Sequence, residues 1–121
     1  FKEEGSLQAM RTRKERKGPP TVGFTCNNMT TRGCLRYMQE HHLKISRDIA
    51  LVCFDDIKEL EYADMHLTSV LRPIYEMGYE AMNILERRFE DKERSGTIRH
   101  ITRRHYVNPW LEVRGSEKLI Q

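Results

Sequence analysis

Two apolar runs decide the fold: Thr21-Val-Gly-Phe-Thr-Cys26 and Ile49-Ala-Leu-Val-Cys-Phe54. Both are short, continuous and β-branched enough to be typical of strands buried on both faces of a sheet. Between them, apolar side chains recur every three or four positions over residues 28–42, which predicts a helix with Cys34, Leu35 and Met38 facing inward. Strand, helix and strand in this order predict a right-handed β-α-β unit with parallel strands.

A polar pair follows each run, Asn27-Asn28 after the first and Asp55-Asp56 after the second. In open parallel sheets ligands bind outside the carboxyl ends of the strands, so both pairs are expected at one edge of the sheet, as a binding site. Adjacent side chains of an extended chain point to opposite faces, which argues against the two aspartates sharing one metal ion and leaves strand-end binding or helix capping. Asn28 is in addition a candidate N-cap for the helix.

Weaker patterns predict the other elements. Leu7 and Met10 indicate a helix at about residues 3–15, ended by Gly18-Pro19-Pro20, and a long apolar stripe predicts an amphipathic helix from Ile74 to Phe89. The remaining predictions are an irregular loop or short helix at 57–66, an extended piece at 67–71, a charged loop at 90–96, a strand at 103–107 and a turn at Asn108-Pro109.

Composition and charge exclude several classes of protein. The chain has 121 residues, enough for one ordinary domain, and its net charge of +3 equals that of residues 1–18 alone. The basic run at 11–17 lacks interleaved aromatic residues and a following recognition-helix pattern, so it is interpreted as a solvated helix end and linker. No apolar run approaches the roughly 20 residues of a membrane span and no leader pattern opens the chain, so a cytoplasmic location is expected.

The sequence contains no enzyme motif of the G-x-S-x-G, P-loop or G-x-G-x-x-G kind. His41-His42 diverge at a helix end without a third ligand at metal spacing, and Cys26, Cys34 and Cys53 form no C-x-x-C pair. Cys26 and Cys53 lie in the apolar runs, where cysteine behaves as a small hydrophobic residue. We therefore expect no catalytic residue, no cofactor, no metal and no disulfide.

Five motifs together resemble the effector-sensing domain of lactose/galactose-repressor-type transcriptional regulators. The resemblance covers residues 18–116 and follows the family's order and spacing. It implies an α/β fold of the periplasmic-binding-protein-like type I, with a parallel sheet flanked by helices. The motifs are Cys26-Asn-Asn-Met-Thr-Thr-Arg-Gly-Cys-Leu35, Leu43-Lys-Ile-Ser-Arg-Asp-Ile-Ala-Leu-Val-Cys-Phe-Asp-Asp56, Leu67-Thr-Ser-Val-Leu-Arg-Pro73, Met77-Gly-Tyr-Glu-Ala81 and Leu111-Glu-Val-Arg-Gly-Ser116.

The resemblance also implies that the chain is the carboxy-terminal part of a longer repressor, outside which lie a helix-turn-helix DNA reader and most of the amino-terminal lobe. The expected segments are a basic helix and linker at 1–20, a carboxy-terminal-lobe β-α-β unit at 21–66, a crossover and a helix of the other lobe at 67–97, and a returning strand and tail at 98–121. Because the helix over 74–90 packs on the other lobe in the family, this chain alone is expected to expose its apolar face and to self-associate.

By resemblance, Asn27 matches an asparagine that binds a sugar hydroxyl, and Asp55 matches an aspartate that accepts hydrogen bonds from the effector. Arg72 stands where the family usually has glutamine, and Asn28 where it usually has aspartate. This exchange adds positive charge, so the expected effector is anionic, such as a sugar phosphate or sugar acid, with Arg72 binding it. The alternative is that Arg72 pairs with a nearby carboxylate. Asn28 and Ile74 are secondary candidates for the ligand site.

The family dimerises through segments that correspond here to about 29–38 and 58–65, so a homodimer is expected. In these segments Arg32 replaces a typically apolar residue and Tyr62 offers an aromatic anchor. The expected function is that of a repressor whose effector controls lobe closure, and which contacts DNA only through the head outside this chain. The alternatives are a transport-type periplasmic sugar-binding protein of the same fold, and an enzyme that uses Asp55 and a histidine.

Overall fold

The described part of the chain forms four strands, three α-helices and one 3₁₀-helix. This computed structural model describes residues 2–97, 102 and 104–120. Two compact units are present, one formed by Phe1–Leu71 with Trp110–Gln121 and the other by Arg72–Pro109. The elements in chain order are α1 (Glu3–Lys14), β1 (Val22–Thr25), α2 (Asn28–Glu40), β2 (Ala50–Phe54), the 3₁₀-helix (Lys58–Ala63), β3 (Thr68–Leu71), α3 (Ile74–Ser95) and β4 (Trp110–Glu112).

The sheet has the strand order β1-β2-β3-β4. β1 pairs with β2 in parallel, with Val22 opposite Ala50, and β2 pairs with β3 in parallel, with Val52 opposite Thr68. β4 pairs antiparallel with β3, with Leu71 opposite Trp110. The predicted β-α-β unit is confirmed, and the extended piece at 67–71 is the third strand of the same sheet.

The hydrophobic core lies between α2 and one face of the sheet. Cys34 and Met38 of α2 are buried against Leu51 and Cys53 of β2, as the apolar stripe predicted, and Leu35 is half-buried at the edge of this cluster. Burial raises the pKa of the Cys34 thiol to about 11. Cys34 therefore stays a neutral, small hydrophobic side chain at physiological pH.

The opposite face of the sheet is largely uncovered. Val22 and Phe24 of β1 are 57% and 58% exposed, while Thr25 is buried on the other side. The prediction that the first run is buried on both faces is therefore wrong for this chain: α2 packs on one face, so the alternate side chains of β1 remain in solvent. Cys26, at the end of the same run, is likewise exposed rather than buried.

Helix α1 packs closely on α2 at Gly33. A Cβ atom at Gly33 would overlap the Ser6 hydroxyl and the Glu3 carbonyl oxygen, so only glycine allows this approach. Arg36 of α2 also forms an ion pair with Glu3 (3.3 Å). Arg11 and Lys14 at the end of α1 are exposed, as predicted, whereas Arg13 is half-buried and donates to the Pro20 carbonyl oxygen (2.6 Å). The first turn of α1 is joined to the α/β unit.

Helix α3 is longer than the sequence predicted. It continues to Ser95 and ends at Gly96 in the left-handed conformation (φ 69°), so the predicted charged loop at 90–96 is wrong. Its last two turns are rich in glutamate, lysine and arginine, which favour a helix, and Lys92 and Arg94 lie near the negative end of the helix dipole. Each residue of α3 retains exposed surface, including Met82 and Phe89 of the apolar stripe.

The predicted strand at 103–107 is also wrong for the described part of that segment. Residues 104–107 are irregular, residue 103 lies outside the described residues, and the strand forms instead at Trp110–Glu112. Pro109 cannot donate to a ladder, so pairing with β3 begins at the residue after it. Among the described residues, no helix is both long and apolar enough to cross a bilayer.

Candidate functional site

The two polar pairs lie at the same edge of the sheet. Thr25, the last residue of β1, stands opposite Cys53 of the parallel strand β2. Asn27 and Asp55 each follow this matched pair by two residues, so both leave the sheet at its carboxyl edge. The expected edge, which we call the strand-end edge (residues 26–28 and 55–56), is therefore present in the structure.

Asn27 is the N-cap of α2, and the interpretation of Asn28 as the cap is wrong. The Asn27 Oδ1 atom accepts a hydrogen bond from the Thr30 backbone N–H (2.9 Å), and Thr30 Oγ1 accepts one from the Asn27 N–H (3.2 Å). Asn27 is extended, as an N-cap residue must be, whereas Asn28 is already helical and exposed. This capping box fixes the orientation of the Asn27 side chain.

The cap also fixes which hydrogen bonds Asn27 can offer. Its amide oxygen is engaged by Thr30, while its amide nitrogen donates no hydrogen bond to any described residue. An amide N–H₂ group can donate two hydrogen bonds. At the strand-end edge Asn27 is thus chiefly a donor, although its residue type alone predicted a donor and an acceptor.

Two buried threonines tie this cap to the sheet. Thr31 Oγ1 donates to the Asn27 carbonyl oxygen (3.0 Å) and lies 2.7 Å from Thr25 Oγ1. Because the Thr31 hydroxyl has one proton, the Thr25 hydroxyl is the donor in the second bond. Sequence reasoning missed this chain of hydroxyls, although threonines at 25 and 31 bracket the strand-helix junction.

Asp55 follows β2 in an uncommon backbone conformation. Its φ is 68°, in the left-handed region, which aspartate tolerates better than most residues. Such a conformation costs about 1–3 kcal/mol and persists only where the surroundings hold it. The Asp55 backbone N–H donates to the Val70 carbonyl oxygen of β3 (3.0 Å), which anchors this turn to the sheet.

Asp56 is held by a bidentate ion pair with Arg114. The two terminal nitrogens of Arg114 each donate to one carboxylate oxygen of Asp56 (2.9 Å and 2.9 Å), and Nη1 also donates to the Leu67 carbonyl oxygen (2.9 Å). The hydrogen bonds to Asp56 raise the pKa of Arg114 above its usual value. Asp56 therefore has a structural role, which differs from the ligand-binding role expected of Asp55.

The segment after β4 is joined to the centre of the sheet. Ser116 is buried, donates to the Leu51 carbonyl oxygen (2.5 Å) and accepts from the Thr68 backbone N–H (2.8 Å). Thr68 Oγ1 donates to a carboxylate oxygen of Glu117 (2.5 Å), which lowers the pKa of that carboxyl. The Leu111–Ser116 motif therefore fastens β2 and β3 from the far end of the chain.

Arg72 and Ile74 belong to the second compact unit. Arg72 is the residue after β3; it is half-buried, and its carbonyl oxygen accepts from the Ile74 backbone N–H (2.9 Å). Ile74 begins α3 and is 66% exposed. Asn27 and Asp55 lie in the first unit, so the structure brings those two to one edge and places the Arg72–Ile74 segment in the other unit.

Arg32, one of the two proposed dimer residues, lines a largely apolar groove on the first unit, and Tyr62 lies on the 3₁₀-helix whose Leu60 and Ala63 also line it. This α2 groove has a volume of about 760 Å³ and lies between α2 and the 3₁₀-helix. Arg32 forms an exposed ion pair with Glu59 (3.8 Å), and Tyr62 on the 3₁₀-helix is 93% exposed. The apolar residues lining the groove include Leu35, Met38, Leu43, Ile45, Leu60 and Met65.

The two histidines lie at the carboxyl end of α2. His41 stacks on Tyr37 (ring centroids 3.9 Å apart) and its Nδ1 lies 2.9 Å from the Tyr37 carbonyl oxygen, while His42 adopts a positive φ of 54°. Within the described ranges, no group of three or more histidine, cysteine, aspartate or glutamate side chains could hold a metal ion. Both contacts of His41 are made with Tyr37, at the carboxyl end of α2.

Comparison with known proteins identifies the family. A model of the periplasmic binding protein-like domain matches residues 2–116. The HTH-type transcriptional repressor CytR of Escherichia coli (strain K12) is 32% identical over 85 residues, which cover 70% of this chain and 25% of the repressor. The HTH-type transcriptional repressor PurR of Vibrio vulnificus (strain CMCP6) is 33% identical over 101 residues, covering 84% of this chain and 28% of the repressor.

Solved structures show the same fold. The LacI family transcriptional regulator from Enterococcus faecium, crystallised with bound ribose, matches with a TM-score of 0.76 at 21% identity and covers 100% of this chain and 42% of its own. The transcription regulator CcpA of Lactococcus lactis matches with a TM-score of 0.71 at 22% identity and covers 98% of this chain and 41% of its own. At these identities the match establishes the fold, and the predicted periplasmic-binding-protein-like class is confirmed.

The family match begins at residue 2, so α1 is part of the domain. The resemblance, expected over residues 18–116, therefore extends further toward the amino terminus than the motifs indicated. The chain spans about a quarter of the length of the curated relatives it matches. Those relatives are repressors rather than transport proteins, as the five motifs predicted. The chain therefore belongs to the periplasmic binding protein-like domain family, and its sequence is similar to part of the HTH-type transcriptional repressors that it matches.

Proposed function

We propose that this chain contributes half of an effector site to a cytoplasmic DNA-binding repressor. One observation carries the proposal: Asn27, whose amide nitrogen can donate hydrogen bonds, and Asp55, which has a carboxylate, follow neighbouring strands at the same edge of the sheet. A polyhydroxylated ligand presents acceptors and donors in the same way, and charge-assisted bonds to a carboxylate are about twice as strong as neutral ones. The ribose held by the E. faecium regulator belongs to this chemical class.

The proposed mechanism is a population shift. The effector binds the open and closed arrangements of the sensing domain with different affinities and so changes the affinity of the DNA-binding head for its operator. The role proposed for this chain is binding, not catalysis. It is supported by the structural use of Asp56, which is held by Arg114, and of His41, which contacts Tyr37.

We further propose that the effector is anionic and that Arg72 supplies the positive charge. Arginine binds phosphate and carboxylate groups through two parallel hydrogen bonds, which glutamine cannot do. Asn28, one residue after the donor Asn27, is neutral and exposed, so the strand-end edge carries no third carboxylate beside Asp55 and Asp56. Asn28 and Ile74 are proposed as secondary contacts.

The test of effector class uses the complete gene product and isothermal titration with ribose and ribose 5-phosphate. We expect the phosphorylated sugar to bind at least about tenfold more tightly, since a buried arginine-phosphate pair contributes roughly 1.5–3 kcal/mol. The Arg72→Gln variant should lose this preference and keep its affinity for ribose. Equal affinities for the two sugars in the unmodified protein would contradict an anionic effector.

We propose that the α2 groove is the homodimer interface, with Tyr62 as an anchor and Arg32 at its border. An exposed tyrosine beside an apolar groove is the kind of side chain that contributes most to protein interfaces. We expect Tyr62→Ala to raise the dimer dissociation constant by about 30-fold, equivalent to roughly 2 kcal/mol, in sedimentation equilibrium of the complete gene product.

The matched control is Tyr106→Ala, which removes another exposed tyrosine, 81% accessible, from the second unit. This variant should dimerise like the unmodified protein. If both tyrosine variants dimerise with unchanged affinity, the interface lies elsewhere.

A further inference from the structure

Arg114 connects three parts of the chain, which are the turn after β2, the start of β3 and the segment after β4. Its guanidinium group donates to both carboxylate oxygens of Asp56 and to the Leu67 carbonyl oxygen, and its backbone N–H donates to Thr68 Oγ1 (2.9 Å). Asp56 follows Asp55 directly, and Leu67 and Thr68 lie where β3 begins. One side chain thus bridges the turn after β2 and the start of β3.

The turn that Arg114 holds is the one that presents Asp55. Asp55 adopts φ 68° and is bonded to β3 through its backbone N–H and the Val70 carbonyl oxygen. A residue in the left-handed conformation persists where the surrounding structure holds it there. On one side Asp55 continues from β2, and on the other side the Asp56 carboxylate is clamped by Arg114.

The surroundings of this ion pair suit a positioning role. The Arg114 and Asp56 side chains are 21% and 22% exposed, so water competes only weakly for their hydrogen bonds. A bidentate arginine-carboxylate pair defines the orientation of both groups, which a single ammonium contact does not. By contrast, the ion pair between Arg47 and Asp48 is on the surface, with 59% and 30% of the side chains exposed.

We propose that Arg114 is a positioning residue for the effector site: by clamping Asp56 to the start of β3, it holds Asp55 in the conformation that binds the ligand. The proposal rests on the proposed function only in its last step, the binding of a ligand by Asp55. Its structural step, that Arg114 holds the Asp55 turn, does not depend on any ligand.

The experiment measures both steps in the complete gene product. Hydrogen exchange at the Asp55 amide reports the turn, because that amide donates to Val70, and the Thr31 amide of α2, which donates to Asn27, is the reference. We expect Arg114→Ala to accelerate exchange at Asp55 by about tenfold relative to Thr31, and Arg114→Lys to give a smaller increase. Arg47→Ala, the surface control, should leave this ratio unchanged.

Titration with ribose 5-phosphate and ribose reports the second step. Arg114→Ala should weaken binding by about tenfold at a temperature where the variant is fully folded, and Arg47→Ala should not. Unchanged exchange at Asp55 in Arg114→Ala would overturn the proposal whether or not a sugar binds. Faster exchange with unchanged affinity would overturn the positioning role, and failure of the unmodified protein to bind either sugar would count against the proposed effector class instead.

Discussion

Replacing Gly33 by alanine is expected to lower the free energy of unfolding by roughly 2–3 kcal/mol. The new methyl group would overlap the Ser6 hydroxyl and the Glu3 carbonyl oxygen of α1. The serine side chain can rotate, but the backbone oxygen moves only if the whole first turn of α1 shifts away from α2. Alanine also favours a helix over glycine by about 1 kcal/mol, so the expected net loss requires that this steric conflict be larger.

Gly5→Ala is the matched control, since it makes the same substitution within α1. A Cβ atom at Gly5 meets no described atom within 4 Å, so the variant should gain about 0.5–1 kcal/mol from helix propensity alone. The measurement is urea denaturation of the two variants followed by circular dichroism. Opposite signs for the two substitutions are expected, and a stabilised Gly33→Ala would mean that α1 does not pack on α2 as described.

The core of the fold could be predicted because its signals are local. The apolar runs at 21–26 and 49–54 and the stripe of Cys34 and Met38 between them specify two parallel strands and a covering helix without reference to distant residues. The same local signals could not show that Val22 and Phe24 stay exposed. Burial of a face depends on what packs against it, and an apolar run has the same pattern whether or not a second layer is present.

The position of the site could be predicted, but the state of its side chains could not. Strand ends locate Asn27 and Asp55, because parallel strands have their carboxyl ends at one edge. The capping bond that engages the Asn27 oxygen is also local, and Thr30 three residues later is its signal. Asn27 and Asn28 are both of a residue type that caps helices well, however, so the residue type alone could not show which of the two side chains is engaged in the capping bond.

The clamp on the second aspartate was beyond prediction from local patterns. Arg114 and Asp56 are separated by 58 positions, and their pairing requires the antiparallel return of β4 along β3. The segment that makes this return was predicted several residues too early, at 103–107. An ion pair between residues far apart in the sequence leaves no periodic pattern of residue types, so only the three-dimensional path of the chain reveals it.

Asp55→Asn is expected to weaken effector binding by about 30- to 100-fold. The substitution keeps the size of the side chain and its tolerance for the left-handed backbone, but removes the charge that strengthens each accepted hydrogen bond, a loss of about 2–3 kcal/mol. Asp64→Asn provides the control: Asp64 is also left-handed (φ 51°), and its side chain is fully exposed beside His66. Both variants lose one negative charge, so a general electrostatic effect would appear in both.

The most direct test of the sheet-edge site is titration of the complete gene product and these two aspartate variants with ribose 5-phosphate and ribose. The account predicts that whichever sugar binds the unmodified protein binds Asp64→Asn equally well and Asp55→Asn at least about 30-fold more weakly, with matched thermal stability. Equal binding by all three proteins, or binding by none, would contradict the claim that the carboxyl ends of β1 and β2 form a sugar-type effector site.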